Sequence, residues 1–587
     1  MIRASLAVML VALLSAGCQG NAGRRDAGNG KDAGLVGDGG GTDAGVNDAG
    51  PGDAGTIDAG GGDAGTTDAG TTDAGTTDAG RPDAGTTDAG ATDAGVTDAG
   101  PTDAGVTDAG LPDAGAPTAS VTQHHNDAAR TGVYVVAGLT HAVAAGMHRD
   151  ASFSATISGP TYAQPLYLAS TGGGPDLVIV ATEQDIVYAL SAANGQVVWQ
   201  KTLGTPVPLN KLPCGNVDPL GITGTPIIDL ATRTLYVDAM TTPDGGTTKK
   251  HLVFALDVDT GNVRAGWPVD VNAAVSGFDS SHQNERGALA LMGGRLYVPY
   301  GGHYGDCGNY HGWVVGISTT DPTQVGAWST PAVGGGIWAP GGIASDGQSV
   351  FAATGNTSYP QTWQGGEAVI RFGPGPTFSN QTQDYWAPTN WQYLDQHDID
   401  IGGSGPVLFD VPGASPSHLA VALGKNGDAY LLDRTNLGGV SNAVAQMHVA
   451  SSTIIGAAIA YQTAQGTYVA FRGTGTGCPN GQYGSLVALK IAADTPPGLS
   501  IAWCANSHGI GAPIFTTTGG GADPMVWIVG NEGDNRLHGY DADTGTELFT
   551  GGGANDQMGS TSRYEAPIVG RGRIFFAGNN AVYAFTR

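Results

Sequence analysis

The sequence predicts an all-β fold: an eight-bladed β-propeller, seven-bladed as the alternative, preceded by a disordered low-complexity tether. Three observations predict it. Glycine makes up 98 of the 587 residues and charged residues only 13%, a composition of turns and strands rather than long helices. A strand–turn–strand motif recurs about every 60 residues from residue 187 onward, and such a period marks a repeat architecture. Residues 19–115 hold 18 Asp, no Glu and no aromatic residue, too little apolar surface to offset the entropy of ordering. Across the chain 25 basic residues face 52 acidic ones, a formal charge of -27. That excess excludes a nucleic-acid binder, which needs clustered Lys and Arg against phosphate.

The segments follow in order. Residues 1–18 read as a secretory signal: Arg3, the apolar run ASLAVMLVALL and then Ser15-Ala16-Gly17-Cys18. The last four resemble a bacterial lipobox, with Ser15 where Leu is commonest, and imply lipidation of Cys18. Residues 19–118 form the tether. From Asp43 to Gly115 the pattern x-x-Asp-Ala-Gly repeats 15 times without a break. Isolated Asp residues keep such a chain solvated and extended, with a typical span of roughly 55 Å. They do not offer the six to eight converging oxygens of a calcium site.

Residues 119–587 form the propeller. The motif is an apolar strand ending in Tyr/Val-Ala-Leu/Phe, often followed by Asp, a Gly turn and a strand with Trp. It reads VYALSAANGQVVW from Val187, VFALDVDTGNVRAGW from Val253 and VVGISTTDPTQVGAW from Val314. Weaker copies begin at Ala368, Ala429 and Leu486, LHGYDADTGTELF at Leu537 is clear, and VYAFT begins at Val582. The last copy has no outer strand after it, while the β-like run SFSATI at 152–157 precedes the first without a partner. Joining the two closes the ring and removes the exposed edges of an open sheet.

These copies resemble the repeat of the PQQ-like, or quinoprotein, propellers, Ala-x-Asp-x-x-Thr-Gly-x-x-x-Trp. The resemblance covers nearly all of residues 120–587, and QHHNDAARTG at 123–132 resembles a group of secreted bacterial PQQ-like proteins. Blades of this kind serve PQQ-dependent alcohol and sugar dehydrogenases. They also serve a lipoprotein scaffold of outer-membrane barrel assembly that binds no cofactor. Fold alone therefore leaves function open.

Four segments resemble the dehydrogenases' cofactor site. GGGIWAP at 334–340 implies Trp338 as the floor under PQQ, and ATGN at 353–356 implies Asn356 as a calcium ligand. HDIDIGGSGP at 397–406 lies where those enzymes carry the catalytic carboxylate, so Asp398 or Asp400 is the candidate base. GKNGDAYLLDR at 424–434 implies Lys425 as the contact to the quinone oxygens. The expected Glu ligand of calcium has no clean match; Asp306, in HYGDCGNYHG, is the nearest acid and Glu285 a poorer one. The adjacent cysteine pair of many PQQ alcohol dehydrogenases is missing. No Cys-x-x-Cys-His occurs, so no covalent haem is expected.

Cys214, Cys307, Cys478 and Cys504 are disulfide candidates in an exported protein. Cys478 with Cys504 is the easiest pair, leaving Cys214 with Cys307, and three pairings are formally open. His124 and His125 are expected in a surface cap. His303, Asp306, Cys307 and His311 make a compact polar cluster, read first as a disulfide-pinned loop. The expectation is an outer-membrane lipoprotein of the cell envelope, periplasmic or surface-exposed, with a monomeric head that binds a protein or glycan partner without catalysis. The alternative is a PQQ- and calcium-dependent dehydrogenase of an alcohol or sugar.

Overall fold

The computed structural model describes residues 120–587. The readings made for residues 1–118, lipidation of Cys18 included, lie outside the described residues.

Eight antiparallel sheets follow one another along the chain. Their innermost strands are Leu166–Leu168, Ile227–Asp229, Ala290–Met292, Ala344–Ser345, Val407–Asp410, Ile459–Thr463, Ile514–Thr517 and Ile568–Gly570, and they number blades 1 to 8 here. Every copy of the sequence motif falls on the third strand of a blade, from Ile186–Ser191 in blade 1 to Ala581–Thr586 in blade 8. The ring closes as its edges require. Ala155–Thr156 and His148–Arg149 both pair antiparallel with Ala581–Thr586, supplying the outer strand that blade 8 lacks. A further strand, Val133–Val135, joins blade 7 in parallel against Ile514–Thr517.

The motif's chemistry sets the docking between blades. In blade 7 the Asp541 Oδ1 accepts from the amides of Asp543 and Thr544, folding the turn, and Gly545 takes φ +72°. A side chain at Gly545 would lie 2.7 Å from the Trp503 ring of blade 6, whose Nε1 donates to the Ala542 carbonyl at 2.8 Å. Blades 1 and 2 repeat the arrangement: Trp199 Nε1 donates to the Val258 carbonyl at 3.0 Å, over Gly261. The Thr-Gly turn thus makes room for the previous blade's Trp. Hydrophobic clusters fill the wedges between neighbouring blades, for example Leu486, Trp503, Phe515 and Tyr540 between blades 6 and 7.

Residues 121–132 occupy the channel lined by the inner strands. Val121 bridges Tyr167 of blade 1, and the carbonyls of Thr122, Ala128, Ala129, Thr131 and Gly132 accept from Ile228, Ser345, Leu408, Ala460 and Phe515 of blades 2, 4, 5, 6 and 7. Arg130, 1% exposed, donates to the carbonyls of Leu289 and Ile343 at the entries to blades 3 and 4. His124 and His125 are 2% and 0% exposed. They belong to this buried plug and not to the expected surface cap, because inner strands facing a channel leave amides and carbonyls that need partners.

Both disulfides pair as the easiest reading had it: Cys478 with Cys504, and Cys214 with Cys307. Among the described residues no helix is long and apolar enough to cross a membrane.

Candidate functional site

Strands alternate in direction within a blade. Loops from an outer strand to the next inner strand, and turns between second and third strands, therefore open on one face. Trp338 lies on the loop from blade 3 to blade 4, and Asp398 and Asp400 on the loop from blade 4 to blade 5. Lys425 lies in the turn between strands His418–Leu423 and Asp428–Asp433, and Asn356 just after Val350–Thr354. The four matched segments thus reach the same face from adjacent blades.

They also meet. The Lys425 Nζ lies 2.8 Å from Asp398 Oδ1 and 2.6 Å from Asp400 Oδ2, and 5.4 Å from the centre of the Trp338 ring. Asp400 Oδ1 accepts from the Asn356 amide at 2.7 Å. Gly355 lets these groups close up, since a Cβ there would lie 2.5 Å from Asp400 Oδ1 and 3.1 Å from Trp338 Nε1. The Asp400 side chain is 3% exposed and that of Asp398 63%. The Trp338 indole is half-buried.

The electrostatics follow from this packing. Burial works to lower the Lys425 pKa, but Asp400 and Asp398 outweigh it and hold the ammonium charged. Asp398 sits at φ +54°, a conformation a non-glycine residue keeps only where its surroundings enforce it.

Two residues of this site carried no signal in the motifs. Arg286, at the entry to blade 3, places its guanidinium carbon 5.6 Å from the Trp338 ring centre. Its Nε is buried with no hydrogen-bond partner, and burial lowers its pKa against the pull of Asp306. The second is Glu367, fully buried, whose Oε2 accepts from the Ile401 amide at 2.8 Å and so fixes the Asp398–Asp400 loop from behind. Arg286 falls in no recognisable motif, and a buried positioning residue such as Glu367 leaves no local pattern.

The remaining candidates stand differently. Asp306 accepts from the Tyr310 hydroxyl at 2.7 Å, on the loop pinned by Cys307. Glu285 is buried, with Oε2 on the Gly224 amide. The acids of this face do not gather as three or more ligands around one point. Among the described residues such a group occurs elsewhere, at His508, His538 and Glu547.

No family model matches the chain, and no curated protein matches it in sequence. Solved structures do match. A quinohemoprotein alcohol dehydrogenase of Pseudomonas putida HK5 is 13% identical over 82% of each chain, with a TM-score of 0.57. A europium-containing methanol dehydrogenase is 13% identical over 80% of this chain and 98% of its own, TM-score 0.55. The quinohemoprotein alcohol dehydrogenase of Comamonas testosteroni is 16% identical over 80% of this chain and 81% of its own, TM-score 0.53. At such identities the likeness establishes the fold alone, an eight-bladed β-propeller.

Proposed function

We propose that the chain is a lipid-anchored, exported binding module of the cell envelope, and that it recognises a glycan at the Trp338 face. The observation that carries this reading is the half-buried Trp338 indole with the Lys425 ammonium and the Arg286 guanidinium over its ring and the Asp398–Asp400 pair beside Lys425. A partly open aromatic ring among fixed charges of both signs suits a neutral hydroxylated ring. The indole covers the ring's apolar side, and the charged groups take its hydroxyls.

The dehydrogenase reading ranks second, favoured by the gathering of Trp338, Lys425, Asp398 and Asp400 in one place. A flat carboxylated quinone fits part of this set. Trp338 would stack beneath it, and Lys425 with the orphaned Arg286 Nε would meet its oxygens. Bound there, PQQ would supply a hydride acceptor, and Asp398, the exposed acid, would take a proton from an alcohol. The calcium set is the weaker part: Asp400 already accepts from the Asn356 backbone amide and faces the Lys425 ammonium, and Asp306 is turned to Tyr310.

Thermal unfolding of the purified protein with neutral sugars, and separately with PQQ with and without calcium, separates the readings. A ligand at 100 times its dissociation constant adds about 2.7 kcal/mol. The binding reading expects a rise with a sugar. A rise only with PQQ and calcium together would replace it with the dehydrogenase.

A further inference from the structure

Blade 7 carries a second polar cluster, away from the Trp338 group and unused by the proposed function. His538, 2% exposed, lies on strand Leu537–Asp541, Glu547 on the outer strand Glu547–Thr550, and Asp534 in the turn before them. His508 reaches over from the loop between blades 6 and 7. The two imidazoles stack in parallel, 3.8 Å apart at 5°, and face the same two acids. On one side Glu547 Oε1 lies 2.7 Å from His538 Nδ1 and 3.3 Å from His508 Nε2. On the other, Asp534 Oδ2 lies 2.9 Å from His538 Nε2 and 3.8 Å from His508 Nδ1.

We propose that His508 Nε2, His538 Nδ1 and Glu547 Oε1 bind a divalent transition-metal ion of the zinc class, with Asp534 as the carboxylate behind the two histidines. His508 Nε2 is buried and faces Glu547 at 3.3 Å in poor alignment for a hydrogen bond. An ion at the Glu547 corner uses that nitrogen and replaces the proton on His538 Nδ1. The ligand set becomes two imidazoles and a carboxylate with a fourth position open to water, a donor set that suits zinc rather than calcium or magnesium. The Asp534 corner supplies the second half of such a site, because a metal-bound imidazole usually donates its other N–H to a carboxylate. Two carboxylates also balance a doubly charged ion.

The His508 backbone is held before any ion arrives, while its ring, stacked parallel on His538, turns so that both nitrogens aim at one ion. His508 sits at φ +55°, its amide donates to Asn506 Oδ1 at 3.0 Å and its carbonyl accepts from the Asp534 amide at 3.2 Å. Gly533 admits that carbonyl, which would lie 2.0 Å from a Cβ there. Bound metal would therefore lock the loop between blades 6 and 7 onto the flank of blade 7.

The test uses the tag-free full chain, stripped with EDTA and titrated with Zn²⁺ against a chromophoric chelator, with melting followed in parallel. The proposal expects one ion per chain at micromolar or tighter dissociation constant and a raised melting temperature. His508→Ala and Glu547→Gln should each weaken binding at least 100-fold, and Asp534→Asn about 10- to 100-fold. Zinc bound equally by wild type and by folded His508→Ala would overturn it, as would calcium binding without zinc. Should the variants not fold, Co²⁺ added to the wild type decides. Intense visible bands of a low-coordinate nitrogen–oxygen site support the proposal, and their absence contradicts it.

Discussion

Glu183 sits fully buried after the second strand of blade 1, its Oε2 on the Gly221 amide at 2.7 Å. Burial pushes its pKa up from 4.5 to about 7. His251 is buried too, and burial alone would lower it, but Asp238 at 2.7 Å raises it overall. Both groups bind protons more tightly folded than unfolded. Each contribution is complete below the unfolded pKa, 4.5 for Glu183 and 6.5 for His251, and is lost as pH rises through the folded one. Glu183's share is lost between pH 4.5 and about 7 and His251's from pH 6.5 upward, so near pH 6.5–7 the signs agree and stability should fall as pH rises. Melting temperatures across that range check this, and Glu183→Gln, which keeps the acceptor for Gly221, should flatten the slope. At the candidate site, Trp338, Lys425 and the Asp pair were legible because each sits in a short segment with its own pattern. Arg286 and Glu367 were not, because their partners lie far along the chain: Trp338 for Arg286 and Ile401 for Glu367.

Between neighbouring blades the unit of stability is the Trp that docks on the next turn. Trp503 is fully buried, and its Nε1 bond to Ala542 fixes blade 6 on blade 7. Trp503→Ala should cost about 3–5 kcal/mol, the range for emptying a large aromatic site. Gly545→Ala should destabilise as well, since its Cβ meets the indole at 2.7 Å and its φ is +72°. Denaturant unfolding of both variants checks the pair, and a neutral Gly545→Ala would mean the turn does not set the docking distance. The equivalent Trp199 was readable because strand, turn and Trp lie within some fifteen residues of one another; Trp503, 17 residues after Leu486, was not. The weak copies at Ala368, Ala429 and Leu486 lack the Trp spacing, yet each forms a third strand. Apolar periodicity sufficed for them, as each packs between neighbouring blades.

At the scale of the whole molecule, the described N-terminal residues close the ring twice: through the outer strands of blade 8, and through the plug in the channel. The first closure followed from counting strands. The plug did not, because its bonds run between residues as far apart as Arg130 and Ile343, and nothing local in QHHNDAARTG announces burial. Arg130→Ala would leave the Leu289 and Ile343 carbonyls without their donor. Bonds to a charged group contribute about 1.5–3 kcal/mol each, so a loss of about 3 kcal/mol or more is expected in equilibrium unfolding. The plug fills the channel, so the functional reading rests on the loops of one face, where Trp338 is the aromatic surface within reach of both Lys425 and Arg286. The most direct test is binding of the wild-type protein and its Trp338→Ala variant to an array of envelope glycans. The account predicts a defined set of bound sugars, lost in the variant with its melting temperature kept. An identical pattern in both proteins, or no glycan bound by either, would contradict it.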